Sequence, residues 1–99
     1  MILEPEIKSR EIKRLFEAIT LLKNKREVAA FFRDIFTLEE LVEASHRLEV
    51  AQMLDKKINF KTIEQKTGVS SATISRINHW LKHGMGGYQL ILKRFKKII

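Results

Sequence analysis

The stretch Phe60-Lys-Thr-Ile-Glu-Gln-Lys-Thr-Gly-Val-Ser-Ser-Ala-Thr-Ile-Ser-Arg-Ile77 decides the fold of this chain. It is typical of a helix-turn-helix, with a short helix, a tight turn at Gly68 and a second helix, over about residues 60–83. Gly68 can adopt a positive φ and end the first helix without a Cβ clash. Ser70 or Ser71 can accept hydrogen bonds from the free N–H groups that begin the second helix. The residues expected to face inward and fix the angle between the two helices are Ile63, Val69, Ile74 and Ile77.

The second helix of this motif begins with small polar residues, as a helix that enters a DNA major groove must. Hydroxyl groups reach base edges or phosphates there, and alanine or a threonine methyl group contacts thymine methyl groups. The predicted DNA-binding residues of this helix and its cap are Ser70, Ser71, Ala72, Thr73, Ser75, Arg76 and His79. One departure is Glu64, at a position where many such motifs carry a small residue that lets the helices approach closely. A plain helical corner inside a bundle remains the alternative interpretation.

The rest of the chain is predicted to be helical as well. Its single proline is Pro5, and residues 6–67 contain no glycine, so this long stretch has no strong helix breaker. No alternating run longer than a few residues indicates a strand. The sequence therefore predicts an all-α fold of six helices in a single domain that spans residues 1–99.

Apolar spacing and capping residues divide the chain into these helices. The expected markers are a stop of the first helix near Asn24, a second apolar stripe of about three turns from Val28 to Ile35, a capping box at Thr37-Leu-Glu-Glu40, caps at Asn59 and Ser70, and the joint Gly84-Met-Gly-Gly87 before the last helix. The apolar stripe of the third helix is predicted to consist of Leu41, Ala44, Leu48, Ala51 and Leu54.

The composition excludes several classes of protein. With 99 residues, 44% of them hydrophobic and 31% charged, the chain is typical of one folded domain rather than a disordered segment. The absence of cysteine excludes disulfide scaffolds, thiolate catalysis and cysteine-bound zinc. No apolar run is long enough to cross a bilayer, and no secretory signal is recognisable at the N-terminus. We therefore expect a soluble cytoplasmic protein that makes no membrane contact.

The distribution of charge points to a polyanionic partner. The formal net charge is +7, but residues 1–55 carry −2 and residues 56–99 carry +9. A basic second half joined to a nearly neutral first half favours nucleic acid as the partner of the second half. A solvated basic surface that only keeps the protein in solution is the alternative.

The apolar stripes are large for so short a chain. A domain below about 100 residues buries only about 60–65% of its extended-chain surface, so six short amphipathic helices would leave apolar area in water. We expect self-association through the terminal helices to cover it. A compact monomer with partly exposed apolar residues is the alternative.

A longer stretch, Ala72-Thr-Ile-Ser-Arg-Ile-Asn-His-Trp-Leu-Lys-His-Gly-Met-Gly-Gly-Tyr88 with the preceding Leu38–Lys57 helix, resembles the tryptophan-repressor superfamily, in particular its YerC/YecD-type branch. The resemblance covers about residues 26–95. It implies an intertwined all-helical homodimer whose two helix-turn-helix motifs bind adjacent major grooves of a two-fold operator. By position it also implies base-reading contacts from Ser71, Ala72, Thr73 and Ser75 and a further contact from Lys61.

The ligand site of the tryptophan-responsive members matches this chain poorly. In those members two arginines enclose the indole and a glycine leaves room for it. The resemblance places His46, Arg76 and Ile77 at these positions, with Arg47 turned about 100° away around the helix. These three residues are the possible effector pocket, and two of them depart from the pattern. We therefore expect no tryptophan corepressor and assign Arg76 to a phosphate contact.

Other functions find little support in the sequence. His79 and His83 have a spacing that can chelate a metal, but no third ligand is evident, so we predict no metal site and no cofactor. No nucleophile–base pair, paired carboxylates or phosphate-binding loop indicates an enzyme. The sequence predicts a sequence-specific DNA-binding transcriptional regulator, most simply a repressor. An architectural DNA-binding protein of low specificity and a helical protein–protein adaptor are the alternatives.

Overall fold

A computed structural model describes residues 4–98 of the chain, and in this range every regular element is helical. The elements are a 3-10 turn at Pro5–Lys8 followed by α1 (Arg10–Thr20), α2 (Lys25–Ile35), α3 (Leu38–Asp55), α4 (Phe60–Thr67), α5 (Ser71–His83) and α6 (Gly87–Ile98). The prediction of an all-α fold with six helices is confirmed. None of these helices is long and apolar enough to cross a membrane.

Side-chain caps set most of the helix starts, as the sequence predicts. In the capping box before α3, the Thr37 N–H donates to Glu40 Oε1 at 2.8 Å and the Glu40 N–H donates to Thr37 Oγ1 at 3.1 Å. Asn59 Oδ1 accepts from the Thr62 N–H at 2.9 Å and begins α4. Asn24 acts as the cap of α2 rather than as the end of α1, which stops earlier, at Thr20.

The described chain divides into two compact units, Met1–Leu41 and Val42–Ile99, with the boundary inside α3. We call them the N-terminal unit and the C-terminal unit. Whether they fold as the single domain expected from the sequence stays a prediction.

The C-terminal unit contains the buried core of the described chain. The buried side chains are Val50, Ala51, Met53, Leu54, Ile63, Ile74, Ile77, Leu81 and Leu92. They come from α3, α4, α5 and α6, so each helix of this unit contributes at least one. Lys96 Nζ forms an ion pair with Asp55 Oδ2 at 3.2 Å, and Gln89 Nε2 donates to the Leu81 carbonyl at 2.7 Å. This unit therefore has its own apolar core, and that core positions the helix-turn-helix.

The described residues of the N-terminal unit form no such core. Neither α1 nor α2 contains a buried residue, although apolar residues recur at helical spacing in both. Phe32 and Phe36 pack edge to face, with ring centroids 5.2 Å apart. Phe16 nevertheless leaves 46% of its surface exposed. The apolar side of this unit is only half covered within one chain.

Candidate nucleic-acid interface

The turn between α4 and α5 has the geometry that its glycine predicts. Gly68 has φ +74°, in the left-handed region, and its N–H donates to the Glu64 carbonyl at 2.9 Å. The Thr67 hydroxyl donates to the Ile63 carbonyl at 2.7 Å and accepts from the Val69 N–H at 3.1 Å. The backbone groups of this tight turn are therefore satisfied locally. The side chain of Glu64 is exposed, so it does not keep the two helices apart.

Three isoleucines lock the two helices together beneath the turn. Ile63 of α4 and Ile74 of α5 are fully buried, and Ile77 retains only 4% exposure. Val69 packs against the same cluster. The prediction that these four residues face inward is confirmed, and the core holds α4 and α5 at a fixed angle.

The opposite side of α5 presents a small, polar surface. Ser71, Ala72, Ser75 and His79 are all exposed. Because successive helical residues are turned by about 100°, these four fall within roughly 100° of one another, whereas Ile77 points the other way and Ile74 lies about 60° beyond Ser71. We call these four residues the reading face. A face with such short side chains can approach the edges of base pairs closely.

Ser70 and Thr73 are predicted DNA contacts that the structure places differently. Ser70 Oγ accepts from the Thr73 N–H at 3.3 Å and donates to Thr73 Oγ1 at 3.1 Å, so it caps α5. Thr73 is half-buried and lies about 200° around the helix from Ser71. Neither hydroxyl is as free as those of the reading face. The role of Ser70 and Thr73 in DNA binding stays a prediction.

The two predicted phosphate contacts are exposed cations. Lys61 is the second residue of α4, and Arg76 is midway along α5 at the margin of the reading face. Neither forms an ion pair with a carboxylate in the part of the chain that the structure describes. Both remain available to a phosphate.

Beside the motif lies a cavity of about 230 Å³, on the side of α5 that carries Thr73. Its walls include Glu43, Arg47, Thr73, Arg76, Ile77 and Trp80. The resemblance placed His46 in the possible effector pocket, whereas Arg47 is the residue of this part of α3 that lines the cavity. His46 is exposed and lies outside the walls of the cavity. Glu43 and Arg47 are four residues apart, so they lie on the same side of α3, and this side lines the cavity. Ile77 forms one wall but does not fill the space.

One of the two arginines that line the cavity is already paired. Arg47 Nη2 donates to Glu43 Oε1 at 2.7 Å, so the Arg47 guanidinium forms an ion pair with a carboxylate of the same helix. Arg76, on the other helix, has no such partner among residues 4–98. The sequence signal for Arg47 was the i,i+4 pairing of an acid with a base, which marks one helix face. Whether the cavity holds an effector stays a prediction.

The histidine pair at the end of α5 lacks further ligands. The rings of His79 and His83 have centroids 5.3 Å apart. In the described range no group of three or more histidine, aspartate or glutamate side chains is placed to hold a metal ion. The absence of a metal site stays a prediction.

Comparison with known proteins identifies the family. The sequence profile of the Trp repressor protein family matches residues 10–96. The chain belongs to the Trp repressor family. It is 38% identical over 92 residues to the uncharacterized protein YerC of Bacillus subtilis, covering 93% of this chain and 88% of YerC. The resemblance to the YerC-type, Trp-repressor-related branch is thus confirmed.

Solved structures of Trp repressor family members agree with the fold. A TrpR-like protein of Eubacterium eligens has a TM-score of 0.88 and 39% sequence identity, covering 94% of this chain and 96% of its own. A structure from Staphylococcus aureus also has a TM-score of 0.88, with 36% identity and coverage of 97% and 96%. The six-helix architecture is therefore that of TrpR-like proteins.

Proposed function

We propose that this chain is a sequence-specific DNA-binding transcriptional regulator that acts as a homodimer. The observation that carries the proposal is the reading face of α5, where Ser71, Ala72, Ser75 and His79 are exposed above a buried isoleucine cluster. A rigid helix that presents short polar side chains fits a major groove and can distinguish base pairs there. Membership of the Trp repressor family supports the same function.

The cations around the motif support DNA rather than a protein partner. Residues 56–99 carry a net charge of +9, and within the motif the exposed Lys61 and Arg76 have no acidic partners in the described part. Such cations neutralise phosphates and fix the register of the motif on the duplex, whereas contacts to base edges give the specificity.

Dimerisation is supported by the apolar surface that one chain leaves open. The helices of the N-terminal unit bury no residue, and residues such as Phe16 and Ile35 are about half exposed. A second copy that packs on these helices would complete a core for the N-terminal unit. It would also supply the second motif that a two-fold operator requires.

The proposed regulator needs neither catalysis nor bound tryptophan. It acts by binding alone, as a repressor with no catalytic step and no cofactor, and it does not depend on tryptophan. It works in the cytoplasm, the compartment expected from its sequence.

A selection experiment tests this function. Duplexes bound from a random pool are sequenced, and the affinity for the selected duplex is compared with that for a shuffled one over a range of salt concentrations. We expect a preference of at least about 10³-fold for the selected duplex. Equal affinity for both would favour an architectural protein, and no binding at low salt would favour a protein adaptor.

Point variants then assign the reading face. Ser75→Ala should relax the preference at particular base positions, costing about 1 kcal/mol for the selected duplex. Ser45→Ala is the matched control, because the Ser45 hydroxyl is exposed on α3 and donates to the Val42 carbonyl of its own helix at 2.7 Å. Thr73→Ala should have the smaller effect, since its hydroxyl is engaged by Ser70. An unchanged ranking of sequences in Ser75→Ala contradicts the assignment of the reading face.

A further inference from the structure

A second cationic surface lies in the N-terminal unit, away from the helix-turn-helix in sequence. Arg10, Lys13, Arg14 and Glu17 recur at the spacing that puts residues on one side of α1. Together with Lys8 of the 3-10 turn they line one open depression of about 410 Å³. We call Lys8, Arg10, Lys13 and Arg14 the α1 cationic face. It lies opposite the apolar stripe of α1, so a partner that covers the stripe would leave it free.

This arrangement works against the stability of α1. Arg10 is the first residue of the helix, where the helix dipole disfavours a cation. Arg10 and Arg14 are also i,i+4 neighbours of like charge, which destabilises a helix. None of the four cations forms an ion pair within residues 4–98, although Glu17 shares their face. By contrast, Glu43 and Arg47 have the same spacing in α3 and pair at 2.7 Å.

A charge pattern that costs stability and is left unpaired is typical of a binding surface. The complementary ligand is an extended anion, because the cations follow the helix from Lys8 to Arg14 rather than converging on one enclosed point. Guanidinium groups, which make up half of this face, match phosphate oxygens by paired hydrogen bonds.

We propose that the α1 cationic face binds the phosphate backbone of duplex DNA, as a second contact that adds affinity without reading sequence. The inference rests on the proposed function, since DNA binding by the helix-turn-helix brings the duplex to the protein. The contact raises the number of phosphates neutralised by each chain and therefore steepens the dependence of affinity on salt.

The test compares two pairs of substitutions that remove the same charge. Arg10→Gln with Arg14→Gln removes two cations from the face, and Lys25→Gln with Arg26→Gln removes two from the start of α2, which lies outside the depression. Glutamine keeps helix propensity close to that of arginine and lysine. Circular dichroism and thermal unfolding confirm that each variant is folded before its affinity for the selected duplex is measured.

We expect only the first pair to change the slope of log affinity against log salt. It should become shallower by about 1.8 for each chain whose α1 touches the duplex, since each lost phosphate contact is worth about 0.9. The ranking of DNA sequences should stay the same. Equal slopes for both pairs of substitutions would overturn the proposal. So would a first pair that lost affinity for anionic phospholipid vesicles but not for DNA.

A substitution of the opposite sign guards against unfolding as an explanation. Glu17→Gln removes the carboxylate that shares the face and should tighten DNA binding more than Glu11→Gln, on the flank of α1. Both variants remove one negative charge, so a difference between them reports the position of that charge. No difference between the two would count against the face. If the wild-type chain bound no duplex, the proposed function would fail as well. If Arg76→Ala weakened DNA binding and the α1 variants did not, only this inference would fail.

Discussion

The two units of the chain differ in how far the apolar sides of their helices are buried. The C-terminal unit closes a core from four helices, with Val50, Ile63 and Ile74 fully buried. The N-terminal unit has helices with equally regular apolar spacing and buries none of their residues. Helical patterning therefore predicts that a segment is helical but does not tell whether its apolar side is covered by its own chain.

This difference matches the division of tasks that the proposed function requires. A DNA-reading helix must be held rigidly, and the isoleucine cluster below α5 does this within one chain. An apolar surface left open in the N-terminal unit is what a second copy can use. We therefore expect substitutions in the C-terminal unit to act on folding and DNA binding, and substitutions in the N-terminal unit to act on assembly.

The largest effect should follow from opening the core of the C-terminal unit. Ile63→Ala removes a fully buried side chain between α4 and α5 and should lower the free energy of unfolding by about 2–5 kcal/mol. Met85→Ala, at a residue 62% exposed in the same unit, should change it by less than about 0.5 kcal/mol. Chemical denaturation at a fixed protein concentration measures both. Similar costs for the two variants would mean that the buried cluster is not the core that supports the motif.

A smaller effect, of a different kind, is expected in the N-terminal unit. Phe16→Ala removes apolar area that is half covered in one chain, and a dimer contains two copies. The monomer–dimer equilibrium should shift by about 1.5–3 kcal/mol, or roughly 10–150-fold in Kd. Sedimentation at a series of concentrations measures this shift, with Glu11→Gln as an exposed control on the same helix. A wild-type chain that stays folded and monomeric at micromolar concentration contradicts the proposed dimer.

The sequence predicts the helix boundaries well because capping is local. The box formed by Thr37 and Glu40, the caps Asn59 and Ser70, and the left-handed Gly68 all lie where the sequence analysis places them. Each of these features depends on residues no more than four positions apart, so tertiary packing is not needed to recognise them.

The register of α3 could not be predicted in this way. The predicted stripe included Ala44, which is exposed, and lacked Val50, which is fully buried. In a helix with apolar residues on several sides, the buried side depends on the helices that pack against it. Local spacing cannot decide between neighbours that differ by about 100° around a helix.

Two glycines, one in the turn of the motif and one at the start of α6, allow a further comparison. Gly68 has φ +74°, so Gly68→Ala should cost about 1–2 kcal/mol although no atom lies within 4 Å of the added Cβ. Gly87 also has open space around it but begins α6 without a positive φ, so Gly87→Ala should be neutral or stabilise by up to about 1 kcal/mol. Thermal unfolding of the two variants compares these effects. Equal costs would show that the positive φ of Gly68 does not explain the glycine at the turn.

The smallest expected effect is that of tryptophan on the C-terminal unit. The cavity beside α5 retains about 230 Å³ and has arginines from two helices in its walls, which by itself would favour an aromatic acid. Glu43, however, already pairs with Arg47 at 2.7 Å, so an incoming carboxylate competes with one that the chain supplies. Ile77, buried to 96%, forms a wall that cannot retreat without opening the core.

We therefore expect L-tryptophan to bind with a Kd weaker than about 1 mM, which corresponds to less than about 4 kcal/mol of binding free energy. Calorimetric titration measures this directly, and the affinity for the selected duplex should change less than twofold when millimolar tryptophan is added. Glu43→Gln separates the two obstacles, because it releases Arg47 and leaves Ile77 in place. If that variant gains a saturable heat, the ion pair is the barrier. If neither protein does, the isoleucine wall is sufficient. A saturable heat with the wild-type chain, or a tenfold gain in its DNA affinity, contradicts the prediction of tryptophan independence.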